Sequence, residues 1–375
     1  MLHCKYRQPE NLKKPRAGSL RYRWKRLLKI RWNIGERITG NWISLDDMPV
    51  NKIGGKLNID LYKKLYLIRR AEQGIIDNYA SDAMKTPMHM SMGEEAIVAG
   101  VCQALKKNDQ VLGTYRSHAL YLAKTGDVTR FFAEMYGKVT GVADGKAGSM
   151  HLSSPENGYL MSSAIVATTI PVAVGVAYAN KLKKNNAMTA VFFGDGATEG
   201  GVFWESLNFA CLKKLPMLFV CEDNELAVHT DLQTRHGYDS LDKIVSQFNC
   251  LSFKSSSTDA GVIHEITVKA IQEARSQQKT VFLHFDYYRY LEHVGINEDF
   301  DAGYRARKDF LKWQKKDPVW VGREKLIASG LSEARVGKIE REIDERVTRA
   351  ISEAEEAEFP ARKELYANVF HGEKK

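Results

Sequence analysis

The chain has 375 residues, 44% hydrophobic and 27% charged, which is ordinary for a globular protein and long enough for one large core or two smaller ones. Its formal charge of +9 is concentrated at one end: residues 1–40 carry five Lys and seven Arg against two Glu, a net +10, so the other 335 residues sum to −1. Whole-chain basicity therefore gives no support to nucleic-acid binding, and no nucleic-acid partner is expected.

The first 53 residues read as a basic arm. Within it, Leu20, Trp24, Leu27, Leu28 and Trp32 stand near helical spacing among Arg and Lys. Such an arm is a solvated or partner-docked tail, with contact to a membrane surface as the sharper alternative. The remainder, residues 54–375, reads as one domain. A helical pattern runs from Leu61 through Arg70 to Ile76. Apolar β-type runs follow at Thr189–Phe193, Met217–Cys221 and Val281–Phe285. Helical patterns at Gly201–Leu215 and Val262–Ser276 alternate with them, which predicts an α/β fold with a doubly wound parallel sheet and flanking helices. Ser332–Glu358, rich in Glu, Arg and Ala, predicts a surface or partner-facing helix.

Five scattered cysteines (Cys4, Cys102, Cys211, Cys221, Cys250) form no Cys-x-x-Cys pair. They argue against a zinc cluster or a disulfide framework and for a reducing compartment, expected to be the cytoplasm with the mitochondrial matrix as alternative. No signal-peptide core is visible in the first forty residues. The longest weakly polar stretch, Ala164–Ala179, is broken by Thr168, Thr169, Pro171 and Gly175 and falls short of a bilayer span.

The chemistry concentrates where the first of these runs enters Gly194-Asp195-Gly196. A helix and a second strand follow, and that strand ends in Glu222-Asp223-Asn224. In a right-handed βαβ unit, Asp195 and Asn224 share the carboxyl edge of the sheet, where open α/β sheets bind ligands. A carboxylate, an amide oxygen and a main-chain carbonyl just beyond suit Mg²⁺, which prefers oxygen ligands completed by phosphates. The flanking glycines allow close approach of a phosphate, and the following helix start favours anions. A dinucleotide fingerprint is excluded because position 199 is Glu, and no Walker sequence occurs.

Gly-Asp-Gly closed by Asn twenty-nine positions later resembles the thiamine diphosphate motif. The surrounding blocks are similar to alpha subunits of 2-oxo acid dehydrogenases that divide their active site between two chains. These blocks are PMHMSMGEEA (Pro87–Ala96), TYRSH (Thr114–His118), GKAGSMH (Gly145–His151), IVATTIPVAVG (Ile165–Gly175), GDGATEGGVFWESLNFA (Gly194–Ala210), YYRYLEH (Tyr287–His293) and Tyr304–Pro318. The resemblance covers roughly Leu61 to the C-terminus and implies a thiamine-diphosphate-binding fold.

It further implies that Asp195, Asn224 and the Leu226 carbonyl bind Mg²⁺. Gly194, Gly196 and Ala197 would lie against the diphosphate, assisted by Tyr115, Arg116 and Arg289. Val166 would offer its carbonyl to the aminopyrimidine, and His293 would be the catalytic histidine near the thiazolium. His89, His118 and His151 are read as structural or cofactor-adjacent, and His284 as a core histidine. His229, His236 and His264 carry no legible signal.

Ala147 and Ala164 stand where the family commonly has glycine, Asp223 where it has Asn, and Leu226 where it has Tyr. The loop Leu291-Glu292-His293-Val294 lacks the serine that mitochondrial pyruvate enzymes carry, so phosphorylation at that position is excluded. Glu292 facing the site would repel an anionic 2-oxo acid, which makes its direction a test of substrate class.

The resemblance implies further that the Glu activating the cofactor belongs to a beta subunit. This chain alone would then be nearly inactive, an assembly of two alpha and two beta chains is expected, and a lipoyl acyltransferase would receive the acyl group of the small-molecule substrate. The alternatives are another split-chain thiamine diphosphate lyase or transferase, distinguished by its products, and a non-catalytic cofactor-binding partner, which intact Asp195, Asn224 and His293 oppose. For the arm, liposome flotation with and without residues 1–53 tests membrane contact: equal flotation removes it and leaves the solvated or docked tail or a third reading, an organelle transit peptide weakened by the near absence of Ser.

Overall fold

The three apolar runs are buried along their whole length because helices cover both faces of the sheet they build. The computed structural model describes residues 43–44 and 55–367; the helix-spaced segment of the arm lies outside the described residues. In chain order the strands are β1 (Ile43–Ser44), β2 (Gln110–Thr114), β3 (Tyr159–Ser163), β4 (Thr189–Gly194) and β5 (Met217–Asp223). They continue with β6 (Leu226–Ala227), β7 (Thr230–Asp231), β8 (Cys250–Ser255) and β9 (Thr280–Asp286).

Seven of them form one sheet in the order β1-β8-β9-β5-β4-β2-β3, with every pairing parallel. The short hairpin β6–β7 stands apart. Ile43–Ser44, within the stretch read as the arm, pairs with β8 as the edge strand. From β2 the chain winds outward to β3, then crosses back to β4 and winds the other way. The expected doubly wound α/β architecture is what the strands form, and the crevice of such a sheet lies at this reversal, between β2 and β4.

Alternate side chains point to opposite faces. Ala190 and Phe192 of β4, with Leu218 and Val220 of β5, join a large core under the helices Gly55–Tyr79, Glu95–Ala104, Ala260–Gln277 and Glu333–Glu356. Val191, Phe193, Phe219 and Cys221 face a second core under Thr169–Lys183 and Gly201–Lys213. No helix among the described residues is long and apolar enough to cross a membrane.

The last long helix, Glu333–Glu356, starts at Ser332, whose hydroxyl accepts from the Arg335 N–H at 3.3 Å. Its buried residues Val336, Ile339, Ile343, Val347, Ala350 and Ala354 recur every three or four positions, so one face seals the core while the other meets solvent. Contact is close enough that a Cβ on Gly74 would lie 2.9 Å from Ile351 Cδ1. Val347→Ala should cost about 2 kcal/mol, read as a lower urea midpoint, whereas exposed Glu345→Ala should stay within about 0.5 kcal/mol.

Candidate functional site

Five neighbouring strands deliver their carboxyl ends to one cavity of about 220 Å³. Thr114 ends β2 and is followed by Tyr115 and Arg116. Val166 follows β3, Asp195 follows β4, and Asn224 follows β5. Arg289 and His293 follow β9. Every residue singled out for cofactor or metal lines this cavity: Tyr115, Arg116, Val166, Gly194, Asp195, Gly196, Ala197, Asn224, Leu226, Arg289 and His293. Glu94, Thr114, Glu222, Ala227, Val228 and Tyr287 line it as well. Sequence reasoning passed over these six, although Glu94 and Glu222 stand beside motif residues.

Pairing of Gly194 opposite Glu222 sets Asp195 beside Asn224. The Asn224 N–H donates to Asp195 Oδ1 at 3.4 Å, and Asn224 Oδ1 accepts from the Leu226 N–H at 3.2 Å. Asn224 Nδ2 donates to the Tyr287 hydroxyl at 3.0 Å, which turns the amide oxygen toward the loop. Asp195 is 1% exposed and pairs through Oδ2 with Arg235 at 2.5 Å; Arg235 also holds Glu199. Burial and the neighbouring Asp223 push the Asp195 carboxyl up to about 7 in spite of that ion pair. A cation bound here would favour its ionised form.

Gly194 leaves space that the protein does not fill, whereas Gly196 packs against its neighbour. A Cβ on Gly194 would meet nothing closer than Glu222 O at 3.8 Å, and one on Gly196 would meet Ala227 Cβ at 3.0 Å. Hard oxygen donors, the open Gly194 and a helix starting at Gly201 together fit a metal-bound phosphate. Backbone strain gathers at the same place: Ala167, Glu225 and Val228 have φ of 64°, 63° and 57°. Left-handed backbone at a β-branched residue is uncommon, and such strain concentrates at ligand sites.

His293 sits between two arginines. Its Nδ1 lies 3.5 Å from an Arg116 nitrogen and 3.4 Å from an Arg289 nitrogen, both donors, so Nδ1 accepts and Nε2 carries the proton. Its carbonyl accepts from Arg116 at 3.1 Å. Arg289 in turn donates to Leu291 O, Val228 O and the Tyr304 hydroxyl. Burial together with Arg116 and Arg289 holds the His293 imidazole down to about 3, hence neutral at ordinary pH. His89 and Tyr115 pack against it, with ring centroids 5.3 and 5.6 Å away. Burial and the same Arg116 push His89 down to about 3 also.

Glu292 turns away from the cavity. Its Oε1 accepts from the Asn297 backbone N–H and side-chain amide, both at 2.9 Å. A Cβ on Gly295, whose φ is +125°, would lie 2.1 Å from that oxygen, so the carboxylate organises the loop turn. The case against an anionic 2-oxo acid based on Glu292 therefore falls.

The other histidines sort by their partners. His118 is fully buried between Glu72 (2.8 Å) and Ser149 (2.7 Å). His284 is a core histidine, as expected, but a charged one: burial pulls it down, while Asp223 and Asp242 outweigh burial and push it up to about 9. With Lys254 it pairs with Asp223, Asp242 and Asp286, two positive charges against three carboxylates. The family departures are accommodated. Ala147 and Ala164 are absent from the positive-φ positions, unlike Gly145 and Gly148. The Glu134 carboxylate accepts from the N–H groups of Ala143, Gly145, Ala147 and Gly148, which fixes that loop.

A carboxyl-edge cavity with two hard-oxygen residues, two arginines and a neutral histidine has a donor set that suits a phosphate-bearing cofactor. Residues 63–363 match the dehydrogenase E1 component family, and the chain belongs to that family. It is an alpha-type chain of these thiamine-diphosphate-dependent oxidoreductases. It is 30% identical to pyruvate dehydrogenase E1 component subunit alpha of Zymomonas mobilis, over 84% of this chain and 88% of that one. Identity to the chloroplastic subunit alpha-3 of Arabidopsis thaliana is 32%, over 83% and 74% of the two chains. The alpha subunit of acetoin:2,6-dichlorophenolindophenol oxidoreductase of Bacillus subtilis is 28% identical, over 83% and 92%.

His89 and His293 stay neutral in the folded chain down to about pH 3, whereas in the unfolded chain they take up protons near pH 6.5. Between those values the unfolded state binds more protons, so stability falls as pH drops. The doubly substituted His89→Gln, His293→Gln chain should show a shallower loss of melting temperature between pH 7 and 4 than wild type. Equal slopes would mean that the two histidines are not held neutral.

Proposed function

We propose that the chain is the alpha subunit of a two-chain 2-oxo acid or acetoin dehydrogenase that binds thiamine diphosphate through Mg²⁺ in the carboxyl-edge cavity. The observation that carries this reading is the meeting of Asp195 and Asn224 with Arg116, Arg289 and His293 around that one cavity. Asp195, Asn224 and the Leu226 carbonyl hold the cation, and Gly196 and Ala197 receive the diphosphate at the helix start. Arg116 and Arg289 supply positive charge and fix the His293 ring. Neutral His293 offers an N–H to an oxygen of the substrate, and Val166 offers its carbonyl to the cofactor ring. The bound cofactor itself supplies the carbon nucleophile and electron sink of the reaction. With Glu292 turned into its own loop, a pyruvate-like acid is an admissible substrate.

A beta subunit completes the site. The cavity is smaller than the roughly 300–1,000 Å³ of complete small-molecule sites, and its rim carries exposed Ile165 and Val166, at 66% and 54%. Val172, Leu182 and Leu212 on the helices Thr169–Lys183 and Gly201–Lys213 are exposed as well, apolar surface of the kind partner chains cover. Gly175 on the same face has nothing within 4 Å of a Cβ, leaving room for another backbone to approach. A lipoyl acyltransferase then receives the acyl group. Cys102, Cys211, Cys221 and Cys250 are free and buried, in keeping with a reducing compartment such as the cytoplasm or the mitochondrial matrix.

Co-purification with a candidate beta subunit, followed by acceptor reduction with a panel of 2-oxo acids and acetoin, tests the assignment. Turnover should require thiamine diphosphate and Mg²⁺, vanish in Asp195→Ala, and fall about a hundredfold or more in His293→Ala. A stable complex that binds no cofactor would overturn the metal-site reading. Unchanged turnover in His293→Ala would leave a cofactor-binding scaffold.

A further inference from the structure

Tyr287 follows β9 directly and has no part in the function proposed above. Its N–H donates to Asp223 O at 2.8 Å, which carries the β5–β9 pairing one residue further and sets Tyr287 beside Asn224. The side chain is buried in the core that Phe192 and Val220 share, and it lines the cavity. Its hydroxyl accepts from Asn224 Nδ2 at 3.0 Å.

An amide side chain has one oxygen and one NH₂ group, and only the oxygen suits a hard cation. Two partners settle how the Asn224 amide lies. The Leu226 N–H, which can only donate, meets Oδ1 at 3.2 Å, so a reversed amide would set Nδ2 against that donor. A hydroxyl accepts as readily as it donates, so Tyr287 does not choose the direction; it secures the other end. That hydroxyl is the one hydrogen-bond acceptor of Nδ2 among the described residues. The same turn carries the Leu226 carbonyl: Asp223 Oδ1 accepts from the Glu225 N–H at 2.8 Å, and Glu225 has a φ of 63°. Holding the amide therefore also steadies the turn in which Leu226 sits.

We propose that Tyr287 is a positioning residue of the cation site: its hydroxyl holds the Asn224 amide in the orientation that offers Oδ1 as a ligand. The inference rests on the cofactor reading above. Tyr287 acts through Asn224. Removing the hydroxyl keeps the ring and its packing but leaves the amide free to turn, and in the turned state a nitrogen stands where the oxygen is needed. A carboxylate at position 224 has two equivalent oxygens and no wrong orientation. The hydroxyl therefore matters to an amide there and not to a carboxylate.

The test titrates Mn²⁺, a paramagnetic substitute for Mg²⁺, into the reconstituted two-chain complex at saturating thiamine diphosphate and reads free Mn²⁺ by electron paramagnetic resonance. Tyr287→Phe should bind Mn²⁺ about fivefold more weakly than wild type, while the melting temperature without ligands stays within about 3 °C. In an Asn224→Asp background, Tyr287→Phe should change the dissociation constant by less than about twofold. Unchanged Mn²⁺ affinity in Tyr287→Phe would overturn the proposal. So would an equal loss in both backgrounds, the result expected if the substitution merely loosens the site. If Asn224→Asp does not fold, the wild-type and Tyr287→Phe affinities decide alone, read beside their melting temperatures. Failure of wild type to bind Mn²⁺ with thiamine diphosphate would instead overturn the cofactor reading, and the role of Tyr287 with it.

Discussion

The site depends on the in-register parallel pairing of β4, β5 and β9. Gly194 opposite Glu222 and Asp223 opposite Asp286 put the residues that leave these strands at one edge and one height. Side chains alternate between faces along a strand, so a slip of one residue would exchange the two cores and carry Asp195 away from Asn224. The apolar runs leave little room for a slip. Ala190, Phe192, Leu218 and Val220 fit one helical layer, while Val191, Phe193, Phe219 and Cys221 fit the other. Burial on both faces thereby sets the spacing of groups that are not themselves hydrophobic.

Around that frame, charge is arranged by what each group can reach. Asp223, Asp242 and Asp286 are answered by His284 and Lys254, so most of the charge of this acidic group behind Asn224 is paired internally. Asp195 is held by Arg235, forty residues along the chain, which also takes Glu199 and ties the loop after β7 to the cavity wall. Arg116 and Arg289 spend most of their donors on carbonyls and hold His293 between them. The neutral imidazole follows from this placement: burial next to these arginines disfavours its charged form.

The unusual loop residues follow from local geometry. Ala147 can replace a glycine because its position does not demand left-handed backbone, whereas Gly145 and Gly148, with φ of 75° and 58°, do adopt it. Leu226 donates its main-chain N–H to Asn224 Oδ1, an interaction that a change of side chain leaves in place. Glu292 finds two donors on Asn297 within its own turn, a lower-cost arrangement than facing a ligand anion.

The sequence by itself determined the α/β alternation, three central strands, the last long helix and the meeting of Asp195 with Asn224 at the carboxyl edge, because continuous apolar runs and Gly-Asp-Gly closed by Asn are local patterns. The family resemblance pointed to Tyr115, Arg116, Val166, Arg289 and His293, and Glu94, Thr114, Glu222, Ala227, Val228 and Tyr287 went unmarked. The sequence did not reveal β2, β3 and β8. These strands are short and end in polar or small residues such as Thr114, Ser162 and Lys254, since they run straight into the site or its ionic network. Only the tertiary structure decided which way Glu292 points, that His284 is charged, and that Arg235 reaches Asp195. Each depends on partners many positions away or on a loop's own turn. The neutrality of His293 likewise depends on burial beside Arg116, a property that exists only when β2 and the loop after β9 have been brought together.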